Sequence, residues 1–92
     1  MTSFETHEAL LHDGGYSAAL SLQDLVLNLW NGGGWKVDMG RLARNLDSAH
    51  WAIALDLLES YRRNGEGDAA FMAIAAKLAA QRHAETGGEA RN

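Results

Sequence analysis

The chain has no cysteine and no proline among its 92 residues. Without cysteine there is no disulfide, no thiolate zinc site and no cysteine nucleophile, so hydrophobic burial is the main source of stability. The absence of proline leaves no position barred from a helix interior, and the alanine-rich runs point the same way. Long apolar runs are missing too, and nothing in the sequence reaches the length a membrane span requires. Positive charge is absent from residues 1–35, which hold Glu5, Glu8, Asp13 and Asp24, while residues 36–92 balance eight bases with eight acids. The whole formal charge of −4 therefore belongs to the N-terminal third. A net negative chain of this kind does not attract nucleic acid by default.

Hydrophobic residues make up 47% of the chain and charged residues 22%, the balance of a globular protein rather than a disordered one. Residues 1–86 are expected to form one helical domain and 87–92 a disordered tail. The first dozen residues carry two acids and two histidines and lack the apolar segment of a signal peptide, so a cytoplasmic location is expected.

Glycines punctuate the sequence at Gly14-Gly15, Gly32 to Gly34, Gly65, Gly67 and Gly87-Gly88, and apolar residues between them recur at helical spacing. This pattern predicts an all-α bundle of four to five helices. The first spans Phe4 to His12, with Thr2 or Ser3 as N-cap and Phe4, His7 and Leu11 on one stripe. The second runs from Tyr16 to Trp30, with Ala18, Leu22, Leu25, Val26 and Leu29 on one face and Tyr16, Leu20 and Leu27 nearly opposite. A helix apolar on most of its circumference is buried on more than one side.

Asp38 can cap a helix over Met39 to Leu46, and Asp47 one over Ser48 to Arg63. A sharp corner near Asp47 is expected, one continuous helix through it being the alternative. The fourth helix would pack with Trp51, Ala54, Leu55, Leu58 and Tyr61, leaving Asp56, Glu59, Ser60 and Arg63 wet. Asn64-Gly65 supplies a stop, and Asp68 caps a last helix from Ala69 to Glu85 whose Phe71, Ile74, Ala75 and Leu78 face the core. Two further faces, Leu20 with Leu27 and Met72 with Ala76 and Ala79, are candidate contacts for a homodimer.

Catalytic motifs are missing. The triple glycine before Trp35 is not a phosphate loop, since Lys36 is followed by Val37 rather than Ser or Thr. Glu8 and His12 share one helical face but lack the third ligand of a zinc site, so neither a metal nor a cofactor is expected. Asp56 and Glu59 sit at a spacing suited to acid/base work, yet Ser60 and Arg63 beside them mark a solvated strip. His50 falls beside the apolar face of the fourth helix and is expected to be a satisfied structural histidine. The helix–corner–helix around Asp47 presents Asp56 and Glu59 where a recognition helix would carry Arg, Lys, Asn or Gln, which argues against direct DNA reading. The expected protein is therefore not an enzyme.

From Leu25 through Trp30-Asn31, then Gly33-Gly34-Trp35-Lys36-Val37 and Leu42, the text resembles an uncharacterised family of small bacterial proteins often encoded on integrative and plasmid elements. That family shows an apolar helix ending in Trp-Asn, a Gly-Gly-aromatic turn and a following helix; the likeness covers Ser21 to Leu58 and implies a mobile-element origin without a known activity. In size, acidity and lack of catalytic motifs the chain is also similar to anti-CRISPR proteins, many of which set carboxylates against the Lys and Arg that hold nucleic acid in a surveillance complex. That resemblance implies a protein partner, such as a CRISPR effector subunit, met through Glu5, Glu8, Asp13 and Asp24 with Trp35 as an apolar anchor.

Overall fold

A computed structural model describes residues 2–85, apart from the side chains of Asp13 and Glu85; the tail expected over 87–92 lies outside the described residues. The described residues form six α-helices and no strand. They are α1 (Ser3–Thr6), α2 (Glu8–Asp13), α3 (Ser17–Trp30), α4 (Met39–Asn45), α5 (Ser48–Asn64) and α6 (Ala69–Glu85), with a single 3-10 turn over Gly65–Gly67. None of these helices is long and apolar enough to cross a membrane.

Capping explains most of the boundaries. Thr2 and Glu5 close a reciprocal capping box on α1. Asp38 accepts the Arg41 amide at 3.1 Å, Asp47 the His50 amide at 2.8 Å, and Asp68 the Ala70 and Phe71 amides at 3.0 and 3.3 Å. Each bond satisfies a first-turn donor that has no partner within its own helix. The corner expected at Asp47 is present: Leu46 and Asp47 are extended, which separates α4 from α5. Beyond Asn64, Gly65 turns the chain at φ +55°, a left-handed conformation that glycine adopts without strain.

The expected first helix is two. The chain breaks at His7 (φ −104°, ψ 18°), so that α1 lies on α5 and α6 while α2 lies on α6 and α3. A straight helix would keep Phe4 and Leu11 on one line; the break lets each reach full burial against a different pair of neighbours.

At the centre, α3 packs on α6 and α5, and α6 also receives α1 and α2. Phe4, Leu11, Leu22, Val26, Leu27, Leu57, Phe71 and Ile74 are wholly buried, each worth roughly 1.5–3 kcal/mol. The Phe71 ring stands edge-on to Phe4 at 4.9 Å and to Tyr61 at 5.1 Å.

Two helix faces depart in part from expectation. On α3, Leu22, Leu25 and Val26 are buried as expected, together with Ala19, Gln23 and Leu27, while Leu20 is exposed. On α5, which receives both α1 and α3, Leu57 and Ser60 are buried and Leu55 is exposed. Consequently Leu27 and Ala79 belong to the interior, and only Leu20, Met72 and Ala76 of the two candidate dimer faces meet solvent.

Candidate functional site

The N-terminal segments are laid out in order along α6, where Asp24 is paired with Arg82. Phe4 meets Phe71, His12 meets Lys77, Asp24 meets Arg82 and Trp35 meets His83, a progression of roughly 18 Å at 1.5 Å of rise per residue. Glu5 sits in the α1 cap, its carboxylate accepting the Thr2 amide at 2.7 Å. Glu8 is exposed, with His12 Nε2 at 3.9 Å, too long for a hydrogen bond. Lys77 Nζ donates to His12 Nδ1 at 3.1 Å, which leaves the proton of a neutral ring on the buried Nε2 facing Glu8. Asp24 accepts from Arg82 Nη1 at 2.8 Å, so its charge is answered within the chain. The side chain of Asp13 lies outside the described residues. Trp35 is half-buried against the core, edge-on to His83, with its carbonyl accepting from Asn28 Nδ2 at 2.8 Å.

Of the expected contact residues, Asp24 and Trp35 meet successive residues of α6, Arg82 and His83, while Glu5 and Glu8 lie on α1 and α2 on either side of the break at His7. Asp56 of α5 reaches that break: it is 63% exposed, with His7 Nε2 at 3.8 Å. Glu59, next to it on the helix, is bound by Arg62 at 2.9 and 3.0 Å and by Arg63 at 2.8 Å. These guanidinium hydrogen bonds hold its carboxyl down to about 2, so Glu59 cannot carry a proton as a general acid near neutral pH.

A second constellation, not anticipated from the sequence, lies where α3 begins beside the first turn of α5. The Tyr16 hydroxyl is 3.0 Å from His50 Nε2, and His50 Nδ1 is 2.8 Å from Asp47 Oδ1. The same carboxylate oxygen accepts the His50 amide, and these bonds lower the Asp47 pKa from its ordinary value. Asp47 is therefore an acceptor only, which in the neutral ring assigns the imidazole proton to Nδ1 and leaves Nε2 to accept from Tyr16. The Asp47 cap was legible; Tyr16, 34 residues from His50, was not.

A groove of about 470 Å³ is lined by Ser17, Leu20, Asp24, Lys36, Arg41 and Asn45, among others; Tyr16, His50 and Asp47 are not on its walls, which they approach through the neighbouring Ser17 and Asn45. Among the described residues, no carboxylate lies within 4.0 Å of Lys36, Arg41 or Arg44 as an ion-pair partner. Nor does any group of three or more His, Asp or Glu among those residues have the arrangement of a metal site. Compared with known protein families, with curated proteins and with solved structures, the chain shows no match.

Proposed function

We propose that the chain acts without catalysis, by binding another protein and covering a cationic surface on it, as an inhibitor of a nucleic-acid-handling complex such as a CRISPR effector. The observation that carries this reading is the group Glu5, Glu8 and Asp56 on α1, α2 and α5. Their charges face solvent with histidines, rather than Lys or Arg, as the nearest basic side chains of Glu8 and Asp56. Such a surface speeds encounter with a basic groove and selects for it over neutral partners. Asp24 contributes less, because docking through it would first displace Arg82.

The test is displacement. The chain is titrated into a purified CRISPR effector carrying a fluorescent nucleic acid, at low and at physiological salt. Release at a stoichiometric ratio, weakening as salt rises, is expected. The double variant Glu8→Lys, Asp56→Lys should lose about tenfold or more in affinity while keeping its helicity. Retention of nucleic acid by every effector tried at low ionic strength would refute the reading, as would an unchanged affinity of the folded double variant.

A further inference from the structure

We infer that Tyr16 is a nucleophilic tyrosine, a site of covalent modification by activated phosphoryl donors, with His50 as its general base and Asp47 as the residue that orients the base. Geometry comes first. A nucleophile hydroxyl, an imidazole nitrogen at 3.0 Å and a carboxylate at 2.8 Å from the second ring nitrogen reproduce the order of roles found in hydrolase triads, with a phenol in place of the serine. Tyr16 is 52% exposed, so an electrophile can reach the oxygen, while the less exposed His50 is held from two sides.

The base is locked in register by main chain as well as side chain. Asp47 caps α5 and bonds the His50 ring with the same oxygen, so the cap that starts the helix also fixes the imidazole tautomer. The Tyr16 ring stands edge-on to the imidazole at a centroid distance of 5.5 Å, which further restricts its swing. A bond made only to fasten α3 to α5 would need a hydroxyl and any acceptor; it would not need the acceptor itself to be oriented by a carboxylate.

The phosphoryl class follows from the adjoining groove. It begins at Ser17, the neighbour of Tyr16, and at Asn45, two residues before Asp47, and it carries Lys36 and Arg41 without carboxylate partners. Cations without internal partners suit an anionic donor better than a neutral acyl group. Asp24 and Asp38 on the same walls, and an overall charge of −4, weigh against a long polyanion and favour a small donor. In the step, the Tyr16 Oη–P bond forms as the bond from phosphorus to the leaving group breaks. The leaving group departs with the electron pair, and the phenolic proton passes to His50 Nε2 and then to solvent.

Acetyl phosphate, an anionic activated phosphoryl donor, serves as the probe, with acetate as the leaving group. The full chain is incubated with it at neutral pH, and adducts are timed by intact mass and located by peptide mapping. Modification is expected at Tyr16 and absent from that peptide in Tyr16→Phe. The rate should fall about tenfold or more in His50→Gln, whose amide can accept the hydrogen bond but cannot take the proton. Asp47→Asn keeps the cap and should slow the reaction severalfold through loss of orientation. Equal rates in the parent chain and in a folded His50→Gln would overturn the proposal. If that variant does not fold, the ¹⁵N chemical shifts of His50 in the parent chain decide: a ring protonated at Nδ1 supports the assignment, and one protonated at Nε2 alone overturns it.

Discussion

Replacing Gly14 with alanine should destabilise the fold, while the same change at Gly15 should not. A Cβ built on Gly14 would stand 2.5 Å from Ala19 Cβ and 2.6 Å from the Leu10 carbonyl oxygen. Neither neighbour can swing aside, since one is a wholly buried residue of α3 and the other is α2 backbone accepting the Gly14 amide at 3.0 Å. Ordinary carbon contacts lie near 3.5–4.0 Å, so α2 and α3 would have to part by roughly 1 Å. Overpacking of this kind costs about 1–3 kcal/mol. Separation also strains the bond from the buried Gln23 amide to the Gly14 carbonyl at 2.9 Å. Its loss adds about 1 kcal/mol. Against a total stability of roughly 5–15 kcal/mol, a penalty of about 2–4 is large. At about 1–3 kcal/mol per molar urea, the unfolding midpoint falls by roughly 0.7–4 M. Around Gly15 there is nothing within 4 Å, and Gly65 is the one described glycine with positive φ. Gly15→Ala should therefore gain about 0.4–1 kcal/mol by restricting the unfolded chain. Urea titrations followed by far-UV circular dichroism measure both. Midpoints that move in the same direction, or a Gly14→Ala protein as stable as its parent, would refute the packing argument.

Phe71→Ala removes a ring that touches both Phe4 and Tyr61, and the expected cost of about 3–5 kcal/mol should lower the thermal midpoint by at least about 12 °C. Asp24→Asn weakens a half-exposed pair with Arg82, worth about 0.5–1 kcal/mol, and the gap from the parent should narrow as sodium chloride is added. Glu59 has its folded pKa lowered from 4.5 to about 2 by Arg62 and Arg63, so its contribution is complete above about pH 4.5 and is lost as pH falls toward 2. Glu59→Gln should thus flatten the acid limb of a plot of urea midpoint against pH, and parallel limbs would contradict the assignment.

Local chemistry was legible in the sequence wherever one residue acts on its near neighbours. Asp38, Asp47 and Asp68 cap the helices expected of them, Gly65 ends α5, and Phe71, Ile74, Ala75 and Leu78 face the core. The Glu59–Arg63 pair, four residues apart, also forms. What escaped depends on partners far along the chain. Ser60 and Leu57 are buried on a helix, α5, that receives both the four-residue α1 from the N-terminus and α3. Leu20 and Leu55 are exposed at the margins of the buried faces of α3 and α5. Gln23 is buried because it bonds two remote groups, the Gly14 carbonyl and Arg82, which hydrophobic periodicity cannot register. In the candidate site, the acids were readable as a charge imbalance, but the answer of α6 to Asp24 was not, and the Tyr16–His50 bond joins segments that the spacing leaves unrelated.

The brevity of α1 bears on how the molecule fails. Four residues cannot sustain a helix alone, so the turn persists only while Phe4 stays seated beside Phe71. Hydrogen exchange in α1 should accordingly report a local opening far below the global unfolding free energy. Each such excursion bares the Phe71 ring to water for a moment, presenting proteases and chaperones with a greasy foothold that the resting protein conceals.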